Sequence, residues 1–142
     1  MKTFSPARWL MARAGERTNV SRELRIAVVD DDEPFRAALV ESLGSLGYVP
    51  SGFDSAEQFV AADEALAWDC VITDIHMPGM SGIDLKRVLL VRGCKVPVIM
   101  ITARSEPELE TAAVAAGAIC LLRKPFASEA LVRCIDKALN AG

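Results

Sequence analysis

No apolar run in this 142-residue chain approaches the roughly 18 residues that would span a bilayer, so no membrane helix is expected. Its four cysteines, Cys70, Cys94, Cys120 and Cys134, make no CxxC pair and no Cys/His metal spacing. They read as buried, reduced thiols of a cytoplasmic protein, not as a metal or disulfide framework. Histidine is almost missing, with His76 the sole example. A basic surface for nucleic acid is also lacking beyond the first 22 residues. Those 22 carry five basic and one acidic side chain (+4), whereas residues 23–142 carry eleven basic and eighteen acidic (−7). The basic N-terminal stretch in turn lacks the continuous apolar core of a secretory signal.

What is present is a globular composition, 51% apolar and 25% charged, at a length that suits one domain with a real core. Residues 1–23 read as an extension outside that domain. Their composition suggests a disordered tail; an amphipathic turn built on Trp9-Leu10-Met11 and a later start at Met11 are the alternatives.

From Arg25 on, short apolar runs alternate with longer helical patterns, the signature of βα units around a parallel sheet. Five units can be counted. Strand 25–29 leads into a helix over 33–46, with Pro34 in its first turn, Gly47 at its stop, and Phe35, Leu39, Leu43 and Leu46 on its apolar face. A weaker strand, 48–51, suits a sheet edge and precedes a short helix over 56–65 whose Phe59 and Val60 face the sheet. Strand 70–73 feeds a loop, 74–81, where Met77-Pro78-Gly79 and Gly82 delay the next helix to about residue 83. Strand 96–101 precedes an alanine-rich helix over 106–116, opened by Pro107 and ended by Gly117. Strand 119–122 and the turn at Pro125 lead to a last helix over 128–139 with Leu131, Val132, Ile135 and Leu139 inward. No nucleic-acid-binding output domain is expected within these residues.

The strand ends carry the chemistry. Asp30-Asp31 follow the first strand and Asp74 the third, and ligands of open parallel sheets bind at such ends. Carboxylates crowded there repel one another unless a hard cation such as Mg²⁺ neutralises them. The competing reading is a solvated turn at residues 30–33 that caps the next helix. Two more strand ends, at Thr102 and Lys124, add a hydroxyl and an ammonium. Together they describe phosphoryl chemistry: a metal to neutralise phosphate oxygens, Lys124 as a movable cation, Thr102 as a hydrogen-bond donor, and Asp74 as a nucleophile that forms an aspartyl phosphate.

The motifs Val28-Val29-Asp30-Asp31, Ile72-Thr73-Asp74-Ile75-His76-Met77-Pro78-Gly79-Met80-Ser81-Gly82, Ile101-Thr102-Ala103 and Lys124-Pro125-Phe126 resemble those of two-component response-regulator receiver domains. The resemblance covers residues 24–140, and the Lys-Pro-Phe ending is most similar to receivers of the FixJ type. It implies a receiver domain over 24–142 with a flavodoxin-like, doubly wound, five-stranded parallel sheet of order 2-1-3-4-5 and five helices. It also implies that Asp74 accepts a phosphoryl group from the phosphohistidine of a histidine kinase or phosphotransfer protein. Asp31 and Asp74 would then ligate Mg²⁺ directly, Asp30 through water, and the His76 backbone carbonyl would complete the protein ligands. Thr102 and Lys124 would hold phosphoryl oxygens, and the Lys124-Pro125 bond would be cis.

Three positions depart from the family's pattern. Leu121 stands three residues before Lys124, where such receivers usually carry a Tyr or Phe that rotates inward as the threonine moves. A leucine could report the same movement with a smaller rotamer change, or the last helices could stay still. His76 and Arg104, two positions past Asp74 and Thr102, read either as tuning residues beside the phosphate or as exposed polar side chains. The imidazole of His76 is not expected on the metal, since Mg²⁺ prefers oxygen. The expected function is a stand-alone phosphorylation switch or phosphate shuttle acting through a downstream protein, with a homodimer possible through 106–116 and 119–122. A phosphorylation-silent docking module is the alternative. A phosphohydrolase similar to the haloacid-dehalogenase type would use Asp30-Asp31-Asp32, Thr102 and Lys124, but it leaves Asp74 and the Met-Pro-Gly loop unexplained and finds no later acidic pair.

Overall fold

A computed structural model of the chain describes residues 23–62 and 68–141. The expected N-terminal extension and the predicted end of the second helix, beyond residue 62, lie outside the described residues. The five strands are β1 (Arg25–Val29), β2 (Val49–Phe53), β3 (Cys70–Asp74), β4 (Val98–Thr102) and β5 (Cys120–Arg123). Among the described residues they alternate with five helices: α1 (Glu33–Ser45), α2 (Ala56–Ala61), α3 (Gly82–Val91), α4 (Pro107–Ala116) and α5 (Ser128–Ala141). Every ladder is parallel, and the strand order is β2-β1-β3-β4-β5. This is the predicted flavodoxin-like topology. The order reverses between β1 and β3, which opens a crevice at their carboxyl ends.

The central strands are near-continuous apolar runs because both sheet faces are covered. Ala27, Val29, Val71, Val98 and Met100 pack in one core with Phe59, Leu85, Leu89 and Ala113 of α2, α3 and α4. Their neighbours Ile26, Val28, Ile72, Ile99 and Ile101 point the other way, to Leu39 and Leu43 of α1 and Leu131 and Ile135 of α5. β2 is the expected edge strand, and it tolerates Pro50 because an edge need not donate from every residue. None of the four cysteines is in a disulfide. Burial pushes Cys70 and Cys134 up to about 12, which keeps both protonated and inert. Among the described residues no helix is long and apolar enough to cross a membrane.

Local chemistry explains where the elements start and stop. The Asp32 side chain accepts from the Phe35 N–H at 3.2 Å and caps α1, with Pro34 in the first turn. Gly47 (φ 99°) and Gly117 (φ 98°) take the left-handed conformation just beyond α1 and α4. Leu46, expected on the buried face of α1, is instead 43% exposed. It is the C-cap, one residue past the last helical turn, so its side chain leaves the buried stripe. β4 begins at Val98, not at residue 96, since Pro97 has no N–H for the ladder and contributes its carbonyl to Val71 N at 3.0 Å.

α3 starts one residue earlier than predicted because Ser81 and Asp84 form a capping box. Gly82 is required there for space: a Cβ at this position would overlap the carbonyl oxygen of Asp74. Gly82→Ala is therefore expected to destabilise the fold by about 1–3 kcal/mol, as overpacking does, and to displace the end of β3. Equilibrium unfolding in denaturant measures it; an unchanged midpoint would contradict the contact.

Candidate functional site

β1, β3, β4 and β5 deliver Asp30, Asp74, Thr102 and Lys124 to the carboxyl-terminal end of the sheet. Asp74 is the last residue of β3, paired with Ile101, so Thr102 stands one position beyond it on the neighbouring strand. Lys124 N donates to the Thr102 carbonyl at 2.8 Å, which ties the end of β5 to the end of β4. The Lys124 ammonium then reaches back across the sheet, 3.0 Å from Asp30 Oδ2 and 2.9 Å from Asp74 Oδ2. Each carboxylate's other oxygen accepts a backbone N–H: Asp30 Oδ1 from Asp32 at 2.9 Å, Asp74 Oδ1 from His76 at 2.8 Å. The Lys124-Pro125 bond is cis, as the resemblance implied.

This is an acidic site held together by one cation. The Asp30 side chain is 2% exposed and that of Asp74 8%. Burial raises the Asp30 carboxyl above its usual range, opposed by the Asp32 N–H and the Lys124 bond and reinforced by the Asp74 charge. For Lys124, burial pulls down, but the hydrogen bonds and charges of Asp74 and Asp30 outweigh it and the ammonium ends raised.

A raised carboxyl binds its proton more tightly folded than unfolded. Between the ordinary carboxylate range and that raised value, each step up in pH costs stability. Asp30→Asn keeps the shape and an acceptor for the Asp32 N–H. It is expected to raise the melting temperature of the metal-free protein at neutral pH and to flatten its decline from acid to neutral. Thermal unfolding in chelator across that pH range checks this, and a lower melting temperature at neutral pH would contradict it.

The donor chemistry fits a hard divalent cation. All the donors are oxygens, and one ammonium leaves the two buried carboxylates, with Asp31 beside them, short of positive charge. Among the described residues, no three His, Cys, Asp or Glu side chains already converge on one point. Asp30 and Asp74 are brought together, whereas Asp31 lies exposed at the rim. Thr102 is buried, and its Oγ1 accepts from Arg104 N at 3.0 Å, which leaves the hydroxyl proton to donate. The Arg104 guanidinium turns toward Glu106 at 3.8 Å and is 58% exposed. Leu121 is half-buried and packs on the α3/α4 side of the sheet.

Three contributors escaped the sequence reading. Phe35 was assigned only to the apolar face of α1, yet its ring centroid lies 4.0 Å from Lys124 Nζ. Arg36 donates from Nη1 to the Asp30 carbonyl at 2.6 Å. Glu57, on α2, accepts from Met80 N at 2.7 Å and pins the loop after Asp74. Gly79 (φ 78°) sits against the same carboxylate, where a Cβ would collide. Positions 33–36 at a helix start beside two aspartates were a usable signal for the first two; Glu57 had none.

Comparison with known proteins agrees with this geometry. The family model for the response regulator receiver domain matches residues 26–136. The chain is 33% identical over 115 residues to the transcriptional regulatory protein FixJ of Bradyrhizobium diazoefficiens, covering 81% of this chain and 56% of that protein. It is 37% identical over 119 residues to the response regulator protein TmoT of Ectopseudomonas mendocina, covering 84% of this chain and 54% of that one. The crystal structure of FixJ-N superposes with a TM-score of 0.77 at 31% identity, covering 84% of this chain and 95% of that one. The chain thus spans little more than half the length of these curated relatives. Domains of this family are phosphoacceptor switches that interact with histidine kinases or phosphotransfer proteins and generally bind Mg²⁺ where they are phosphorylated. Because the match runs unbroken from β1 into α5, through both carboxylates and the lysine between them, this chain belongs to the response-regulator receiver domains.

Proposed function

We propose that this receiver takes a phosphoryl group onto Asp74 from the phosphohistidine of a histidine kinase or phosphotransfer protein, and that phosphorylation controls its binding to another protein or passes phosphate onward. The observation that carries this reading is Lys124 Nζ bridging Asp30 and Asp74 at strand ends beside a buried Thr102. A carboxylate oxygen of Asp74 attacks phosphorus, the P–N bond breaks, and the imidazole leaves with that electron pair and takes up a proton. Lys124 exchanges its Asp74 partner for a phosphoryl oxygen, and Thr102 turns its hydroxyl proton to another. Asp31, Asp74 and the His76 carbonyl are the proposed direct Mg²⁺ ligands, with Asp30 acting through water; bound there, the cation would neutralise phosphoryl oxygens and the surplus carboxylate charge.

α4 and β5 form the proposed contact face for a homodimer or a target, with Val114 68% exposed on it. A cytoplasmic setting belongs to the same proposal and rests on four cysteines that form no disulfide with one another. The domain boundary near residue 24 is proposed as well. Deleting residues 1–23 is expected to leave the melting temperature within a few degrees, roughly the shift of a sub-kcal/mol change; a large fall would refute it.

The silent docking module stays as the second reading because Leu121 offers less volume to move than an aromatic ring. Sedimentation and amide NMR with acetyl phosphate and Mg²⁺, with and without chelator, separate the two. The switch predicts metal-dependent changes in self-association or in α4 and β5 shifts. An adduct on Asp74 with no change in either would count for a phosphate shuttle, whereas no adduct and no released phosphate would count for the silent module.

A further inference from the structure

The Lys124 ammonium has a third neighbour besides the two carboxylates. The ring of Phe35, in the first turn of α1, lies 4.0 Å from Nζ, within the range where an aromatic face attracts a cation. The ring is itself fixed. Its backbone N–H is bound by Asp32, and its edge meets Phe126, just past the cis bond, with centroids 6.0 Å apart and planes at 80°. Arg36, the next residue, binds the Asp30 carbonyl, so the same helical turn that carries the ring is fastened to the acidic loop.

We propose that Phe35 is a positioning residue for the phosphorylation site, whose ring holds the Lys124 ammonium between Asp30 and Asp74. The inference rests on the phosphoacceptor reading of Asp74. A lysine has a long flexible stem and three rotatable donors, so two carboxylate contacts alone leave it several rotamers. The quadrupole of the ring 4.0 Å away narrows that choice and forms no hydrogen bond of its own. It therefore stays favourable while Lys124 exchanges a carboxylate for a phosphoryl oxygen. A leucine would fill much of the same volume without that attraction.

The test is the rate of metal-dependent phosphorylation by acetyl phosphate in wild type, Phe35→Leu and Phe35→Trp, with Phe35→Leu repeated in a Lys124→Gln background. Phe35→Leu is expected to lower the rate about three- to tenfold, in keeping with a partly desolvated cation–π contact, and Phe35→Trp to stay close to wild type. In Lys124→Gln, Phe35→Leu should cause no further loss. Equal rates in all the single variants would overturn the inference, as would an equal loss in the Lys124→Gln background. Proton NMR of the wild type supplies a readout that needs no variant to fold. The Lys124 ε-methylene protons should be shifted upfield by the ring, and ordinary shifts would overturn the placement. No adduct on the wild type would sink the phosphoacceptor reading and this inference together, whereas an adduct with indifferent variants sinks the inference alone.

Discussion

Asp74→Asn is expected to give a protein that melts like the wild type and carries no phosphoryl group. Asparagine keeps an oxygen for the His76 N–H, now 2.8 Å from Asp74 Oδ1, and removes a negative charge from a site already short of cations. Lys124 retains Asp30 as its partner at 3.0 Å. The fold thus loses little, but the amide oxygen is no nucleophile and the loss of phosphorylation should be complete. Phosphate-affinity electrophoresis after incubation with acetyl phosphate or a phosphorylated kinase reads this directly. Retention at the wild-type level would mean that the phosphoryl group sits elsewhere.

Lys124→Ala should produce the largest loss of stability of any single change at the site. It leaves two buried carboxylates facing each other with no cation, and breaking a buried pair by removing one partner costs about 3 kcal/mol or more. The raised lysine contributes its stability in full below the ordinary lysine range and loses it only as pH climbs through its raised value, so at neutral pH the wild type has all of it. The deficit of the variant should shrink on acidification, as Asp30 takes up a proton, and on adding Mg²⁺. Signalling should be lost even with the metal bound, because the phosphoryl oxygens lose their ammonium. Denaturant unfolding with and without Mg²⁺ measures the first part; a variant as stable as wild type in chelator would contradict it.

The strand ends were legible because chemistry and pattern agree there. Val28-Val29 and Ile99-Met100-Ile101 are buried on both sheet faces, so each run must stop where charge begins, and those stops place Asp30, Asp74, Thr102 and Lys124. Helix starts were legible through Pro34 and Pro107. β2 was read two residues short at its end because an edge strand containing Pro50 and Gly52 carries little apolar signal. Periodicity put Phe35 on the correct face of α1 but could not give its height along the helix. That height sets the ring beside Lys124 instead of deep in the core. The bond from Met80 N to Glu57 joins residues 23 apart in sequence and depends on how α2 packs, so no local pattern announces it.

The most direct measurement is the intact mass of the wild-type protein after incubation with acetyl phosphate and Mg²⁺, with a chelator control and peptide mapping of any adduct. One phosphoryl group on Asp74, absent in chelator, is the predicted result. A protein that stays unmodified and releases no inorganic phosphate, or an adduct on any other residue, would contradict the assignment of Asp74, Lys124 and their metal site as a working phosphoacceptor.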